Sequence, residues 1–377
     1  MPIPRGPQAF PRSEFLRRHA AVKVEMAHRD LIALFISDPS NITYLTGYTT
    51  PSGYVPQGLV VTMADEEPTL VLRAMDAPAG VHQSFMDRDK VIAYPESLIG
   101  RTDRSGCDVV VQTLRDLGVV TGGIGLELSN LSAQAADRFR SALSEARVRD
   151  FTDVVTWLRI VKSDLEVEVL REAAAITDAA MTCASEVIRP GAHEANAVAE
   201  ICRTLVRGVD GKPGGRIPDI ALCSSPRTGT AHIPWSDDVF RQGSQVNLEL
   251  AGVRHAYAAP LMRTFSVGAP CERLLRVHDA HMAGMDAALA TIRPGATCGD
   301  VANAFHRTYE KQGIGWLEPT ASFQEGDMTV LKPNMTFHLM LGNWFDEDFG
   351  YMISETIRVT EGGVEELTNT PRKLFVL

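Results

Sequence analysis

No Cys-x-x-Cys pair and no short Cys/His spacing occurs in the 377 residues, which excludes the zinc ribbons and fingers whose ligands come at such intervals. The six cysteines, Cys107, Cys183, Cys202, Cys223, Cys271 and Cys298, are scattered and read as buried free thiols of a reducing compartment. Basic excess is lacking too. Lys and Arg number 37 against 47 Asp and Glu, a formal net charge of -10, so the chain offers no generic footprint for nucleic-acid phosphates or an anionic membrane. No apolar run approaches the length that spans a bilayer. The opening residues, MPIPRGPQAFPRSEF, have no basic segment followed by an apolar one, so they do not read as a secretory signal. A cytoplasmic protein with a small-molecule or peptide partner is expected, binding neither nucleic acid nor membrane.

What is present is ordinary for a soluble globular chain: 45% apolar and 22% charged residues. The length exceeds what one hydrophobic core usually organises, so two domains are expected. A helix from about Ser13 to His28 leads into the strand-like run LIALFIS, and LVVTM, TLVLRA, VIAYP and GIGLEL then alternate with the helix-like CDVVVQTLRDL and AQAADRFRSAL. Ser129 is the expected cap of the last of these. That alternation marks an α/β layer structure over roughly residues 1–155. The second domain, 156–377, opens at Ser163 and Glu166, which have capping-box spacing ahead of a helix that Pro190-Gly191 stops. IRPGA occurs at Ile188–Ala192 and again at Ile292–Ala296. The same order of helix, helix and strands surrounds both, so an internal duplication is expected, with active-site residues on strands of both halves.

Period-2 alternation in QVNLELAG puts Val246, Leu248 and Leu250 on one face and Glu249 on the other. On an open surface Glu249 would mean nothing. Lining a cleft, it is a desolvated carboxylate and a candidate acid, base or nucleophile. A turn near Arg254 and His255 would set Glu249 opposite Pro260, and a proline there marks an edge or bulge because it cannot donate to the ladder. In YMISETIRVT, Glu355 interrupts the apolar stripe of Ile353, Ile357 and Val359. It is either a catalytic carboxylate or half of a buried salt bridge to Arg263. Of the ten histidines, His232 in TGTAHIPW lies in a loop between strands, and His338 in MTFHLM lies on the strand face shared with Met340. Beside Glu249 they supply what acid-base hydrolysis near neutral pH requires.

SDPSNITYLTGY, followed by an α/β domain and a duplicated half ending MTFHLM…ETIRVTEGGVEELT, resembles the creatinase and aminopeptidase P superfamily over nearly the whole chain. The resemblance implies a creatinase-like N-terminal α/β domain plus a C-terminal pita-bread domain with an internal pseudo-twofold. Metal-dependent members hold two divalent ions through two aspartates, a histidine and two glutamates. By motif these fall here at Glu249, Pro260, near Gly313–Trp316, at Met340 and at Ser354, so no metal and no cofactor are expected. LELAG, the PLMRT end of the hairpin, TFHLM and TNTPRKLFV look most like the metal-free ectoine hydrolases. By that resemblance Glu249, His232, His338 and Glu355 would be catalytic, while Trp316, Glu318 and Arg263 would contact substrate. Tyr54 would reach the site of a neighbouring subunit, which implies a homodimer.

Overall fold

A computed structural model describes residues 3–49, 52–101, 103–311 and 323–377. The chain divides into two compact units, Met1–Ile160 and Val161–Leu377. The division falls a few residues beyond the expected 155/156 boundary because a short helix, Val154–Leu158, contacts the first helix of the N-terminal unit.

The N-terminal unit carries strands β1 (Ala33–Ile36), β2 (Gly58–Thr62), β3 (Thr69–Arg73), β4 (Val91–Tyr94), β5 (Gly122–Leu126) and β6 (Ala146–Asp150) in one sheet of order β4-β3-β2-β1-β5-β6. Its helices are α1 (Arg12–His28), α2 (Pro39–Thr46), α3 (Ala77–Gln83), α4 (Gly106–Asp116), α5 (Ala133–Ala142) and α6 (Val154–Leu158). Every residue of β1 and β2 is buried, as central strands covered on both faces must be. Val110, Val111 and Leu114 of α4 and Phe139 of α5 pack with Phe35, Val60 and Val71 of the sheet. The cap of α5 is Ser132, which accepts from Ala135 N–H, rather than Ser129. The segment SDPSNITYLTGY forms α2: Asp38 accepts from Asn41 N–H, Pro39 opens the helix, and Gly47 at φ 83° closes it.

The C-terminal unit is built twice. Its first half runs α7 (Asp164–Val187), α8 (Glu194–Arg207), β7 (Ala221–Ser224), β8 (Gln245–Arg254) and β9 (Tyr257–Ser266). Its second runs α9 (Glu272–Thr291), α10 (Cys298–Glu310), β10 (Thr336–Asp346) and β11 (Phe349–Val359), with β12 (Val364–Glu366) and β13 (Phe375–Val376) closing the chain. The capping box at Ser163 and Glu166 starts α7. The repeated IRPGA turns make the same bonds: Gly191 N–H donates to Phe240 O and Phe240 N–H to Ala192 O, as Gly295 N–H donates to Leu331 O and Leu331 N–H to Ala296 O. Both glycines have positive φ, 82° and 88°, which a side chain would strain. All six cysteines are free. Cys107, Cys223 and Cys298 are buried, and Cys271 is exposed at the start of α9.

Helices α7 and α8 cover one face of the first sheet, packing on Val246, Leu248, Leu250, Leu261 and Phe265. Near the hairpin end the Thr177 hydroxyl enters the β8–β9 ladder. It accepts from Gly252 N–H at 2.8 Å and reaches Ala259 O at 2.5 Å. A Cβ on Gly252 would lie 2.4 Å from Ala173 O, so only glycine lets the helix approach this closely.

His19 in the N-terminal unit and His281 in the C-terminal unit are buried as neutral rings whose pKa burial lowers to about 4, as it also does for His338. In the unfolded chain the ring takes its proton near pH 6.5, so below that value the unfolded state binds more protons than the folded one. Stability is therefore complete above about pH 6.5 and is lost as pH falls toward 4, on the order of 2 kcal/mol for each ring by about pH 5. Thermal unfolding should occur at a clearly lower temperature at about pH 5 than at about pH 7.5, and His19→Gln should lose part of that dependence. Equal midpoints at the two pH values would refute it.

Candidate active site

Pairing in the C-terminal unit fixes which side chains share a face. In β8–β9, Glu249 pairs with Met262 and Ala251 with Pro260, so Glu249 and Pro260 share a face without being directly opposed. The expected pairing was off by two residues because the turn centres one residue later, on His255–Ala256. Both have positive φ, 48° and 66°, the two-residue hairpin geometry that matches strand twist. In β10–β11, Met340 pairs with Ser354, His338 with Thr356, and Leu339 with Glu355.

The two hairpins meet along β9 and β11 through hydroxyl bonds. Thr356 Oγ1 donates to Pro260 O at 2.6 Å, Met262 N–H donates to Ser354 Oγ at 2.7 Å, and Thr264 Oγ1 donates to Met352 O at 2.9 Å. Strand β13 pairs with β9 only at Phe265 and Ser266. At Pro260, β9 is therefore an edge strand, and its missing N–H faces the other half.

A front face results that carries Glu249, Pro260, Met262, His338, Met340, Ser354 and Thr356. Along these paired stretches Glu249 is its only carboxylate. Glu249 is half-buried, and burial pushes its carboxyl up, opposed by the charge of His232. Burial lowers the His338 ring to about 4, and its Nε2 lies 2.7 Å from Ser354 Oγ. Cys223 of β7 pairs with Asn247 on this same face, but burial pushes its thiol up to about 11, so it stays protonated.

His232 is exposed on the β7–β8 loop. That loop is fastened at both ends. The buried Glu194 carboxylate accepts from Ser224 Oγ at 2.6 Å, Arg227 at 2.5 Å, and Ser236 N–H at 2.7 Å. Burial opposes ionisation of Glu194, but Ser224, Ser236 and Arg227 outweigh it and hold the carboxyl below the usual range. On the other side Thr228 Oγ1 donates to Asp348 O at 2.8 Å, and a Cβ on Gly229 would meet the Asp346 carbonyl at 2.0 Å.

Two of the expected site residues belong elsewhere. Arg263 and Glu355 lie on the opposite, helix-covered face, 0% and 1% exposed, and pair at 2.7 Å. Arg263 also donates to the carbonyls of Pro371, Met262, Ser354 and Thr370. Its five N–H groups are thus all engaged, and none is left for a substrate. Glu355 accepts from Arg263 through Oε1 and from Thr368 through Oε2 at 2.9 Å. Burial raises its pKa against the pull of Arg263 and Thr368. The pair holds the floor together from behind. Tyr54, in the N-terminal unit, is 75% exposed, and its ring lies 5.1 Å from the Arg73 guanidinium. Trp316 and Glu318 lie outside the described residues. Ser354, Met262 and Glu194 were not among the expected site residues. The signal for Ser354 was its alternation with Glu355, which puts it on the same face as His338.

Residues 168–361 match metallopeptidase family M24, and residues 18–161 match the creatinase/prolidase N-terminal domain. The chain belongs to the M24 family. It is 56% identical over 390 aligned residues to an uncharacterized hydrolase/peptidase of Sinorhizobium fredii, covering 100% of both chains. It is 36% identical over 393 residues to the ectoine hydrolase of Halomonas elongata, covering 97% of this chain and 98% of that one. The X-Pro aminopeptidase structure from Thermotoga maritima superposes with a TM-score of 0.81 at 21% identity, covering 95% of this chain and 99% of that chain. These findings make this M24 chain a hydrolase-family protein with a creatinase N-terminal domain and a pita-bread C-terminal domain.

Such a family implies a divalent metal, which the front face of this M24 chain does not fit. Pro260 and Met340 supply no oxygen or nitrogen side-chain donor, and the Ser354 hydroxyl is engaged by Met262 N–H and His338. Divalent ions of this kind need several such donors at once. Among the described residues no three His, Cys, Asp or Glu side chains converge as a metal-binding group.

Proposed function

We propose that the chain is a metal-independent hydrolase of a non-peptide C–N bond in a small amidine- or guanidine-like zwitterion, with ectoine the nearest named substrate. The observation that carries this reading is Glu249, a half-buried carboxylate with a raised pKa on a floor that also carries proline, methionine, hydroxyl, imidazole, amide and protonated thiol groups. Desolvation makes such a carboxylate a stronger base or nucleophile than one in water. It is also the group that would attract a cationic amidinium. The likeness to the Halomonas elongata ectoine hydrolase supports the substrate class.

In this reading Glu249 attacks the amidine carbon directly or takes a proton from the water that does. The new C–O bond forms, one C–N bond breaks, and the departing nitrogen receives a proton through His232; in the direct route water then cleaves the ester to Glu249 and regenerates its carboxylate. Tyr54 completes the site in a homodimer, in a cytoplasmic setting. The test is mass spectrometry of ectoine, hydroxyectoine and creatine after incubation with metal-stripped protein. A product heavier than ectoine by one water is expected. Turnover of X-Pro dipeptides alone, and only after a divalent metal is restored, would overturn the reading.

A further inference from the structure

Ser354 stands at the centre of the front face, fully buried, with two neighbours on its hydroxyl. Met262 N–H lies 2.7 Å from Oγ, and His338 Nε2 lies 2.7 Å from it. A backbone N–H can only donate, so Met262 uses one lone pair of Oγ. The Ser354 proton must then find an acceptor, and among the described residues Nε2 of His338 is the partner that can serve. Were Nε2 itself protonated, the buried hydroxyl would face two donors and its own proton would go unbonded, an arrangement that proteins avoid.

We propose that Ser354 is a positioning residue that locks His338 in the tautomer protonated at Nδ1. The direction of the chain is Met262 N–H to Ser354 Oγ–H to His338 Nε2. Its source is a backbone amide, which no change of protonation can reverse. The basic nitrogen of the ring is thereby occupied, and His338 does not act as a base. The role of base is left to Glu249. Ser354 does this from the position where the metal-dependent pattern has its last glutamate, so the residue that no longer supplies a metal ligand supplies a proton direction instead. The link to catalysis rests on the hydrolase reading above, whereas the tautomer does not.

The experiment is long-range 1H–15N correlation on the uniformly 15N-labelled full chain near neutral pH, with the His338 signals assigned by their loss in His338→Gln. Nδ1 should show the shift of a protonated ring nitrogen and Nε2 that of an unprotonated one, in a ratio of about ten to one or more. Ser354→Ala should shift the ring toward the other tautomer, and Ser354→Thr, which restores the hydroxyl, should return it. An Nε2-protonated ring in the unaltered protein, or a tautomer indifferent to Ser354→Ala, overturns the proposal. If the tautomer is as stated but no amidine is turned over, the hydrolase reading fails and the positioning of His338 stands. If turnover is present, Ser354→Ala should lower kcat more than it raises KM, with recovery in Ser354→Thr. A change in KM alone would remove the catalytic link.

Discussion

Glu249→Gln is expected to lower kcat roughly a thousandfold on the amidine that the mass screen identifies, with the unfolding temperature unchanged or slightly raised. General acid-base and nucleophilic groups contribute about 10²–10⁴ in rate, and the two hairpins offer no second carboxylate on the front face to take over, Glu365 of β12 being tied to Arg171 and Arg358. Gln keeps the volume and the strand, so packing against Met262 and Ala221 is preserved. Stability should not fall, because the cost of desolvating this charge exceeds what the charge of His232 returns. The same burial fixes the sign of the pH profile. Glu249 must be ionised to act, its pKa is raised, and the rate should therefore fall on acidification through a value above the ordinary carboxylate range. Turnover within a few-fold of the unaltered protein would sink Glu249 as the reacting group.

Arg263→Met should cost about 3–5 kcal/mol of stability, the usual penalty for stripping one partner from a buried ion pair. It strands Glu355 at 1% exposure and removes donors from four carbonyl groups on three segments of the chain. Urea unfolding would measure it, and failure to accumulate as soluble protein is the extreme of the same result. Glu355→Gln is the gentler companion, since its amide oxygen still accepts from Arg263, while its amide nitrogen, which only donates, replaces the oxygen that accepted from Thr368. It should lower stability by a smaller amount, roughly 1–3 kcal/mol, and leave KM unchanged. A substrate-binding carboxylate would behave the other way, with KM rising and stability unaffected.

The fates of these two acids show what alternation along a strand can and cannot reveal. Glu249 was legible because the apolar residues Val246, Leu248 and Leu250 identify the helix-covered face and leave Glu249 on the other. Glu355 was legible as buried, and its pairing with Arg263 was one of two readings. Choosing between them required knowing that β9 and β11 lie side by side, a contact between residues about 90 positions apart that no local pattern encodes. The hairpin pairing was missed by two residues because a turn of His255 and Ala256, both at positive φ, lacks the Asn-Gly or Asp-Gly that would announce it. The duplication was readable from IRPGA, since a turn needing glycine at positive φ constrains the sequence at both occurrences. The loop anchored by Glu194 was not readable, because a helix-opening glutamate looks like any favourable charge at a helix start.

Along the seam, adjacent residues have opposite fates. Met262 and Ser354 face the site, whereas Arg263 and Glu355, one peptide bond away, face the helices. The arginine-glutamate clasp can therefore hold the register of both hairpins whatever the front-face side chains happen to be. Such a scaffold can change its chemistry without renegotiating its folding. A lineage could replace aspartate by proline at one position and glutamate by methionine or serine at two others and still inherit an intact platform. The freedom to abandon one catalytic strategy for another is a property of the back of this sheet.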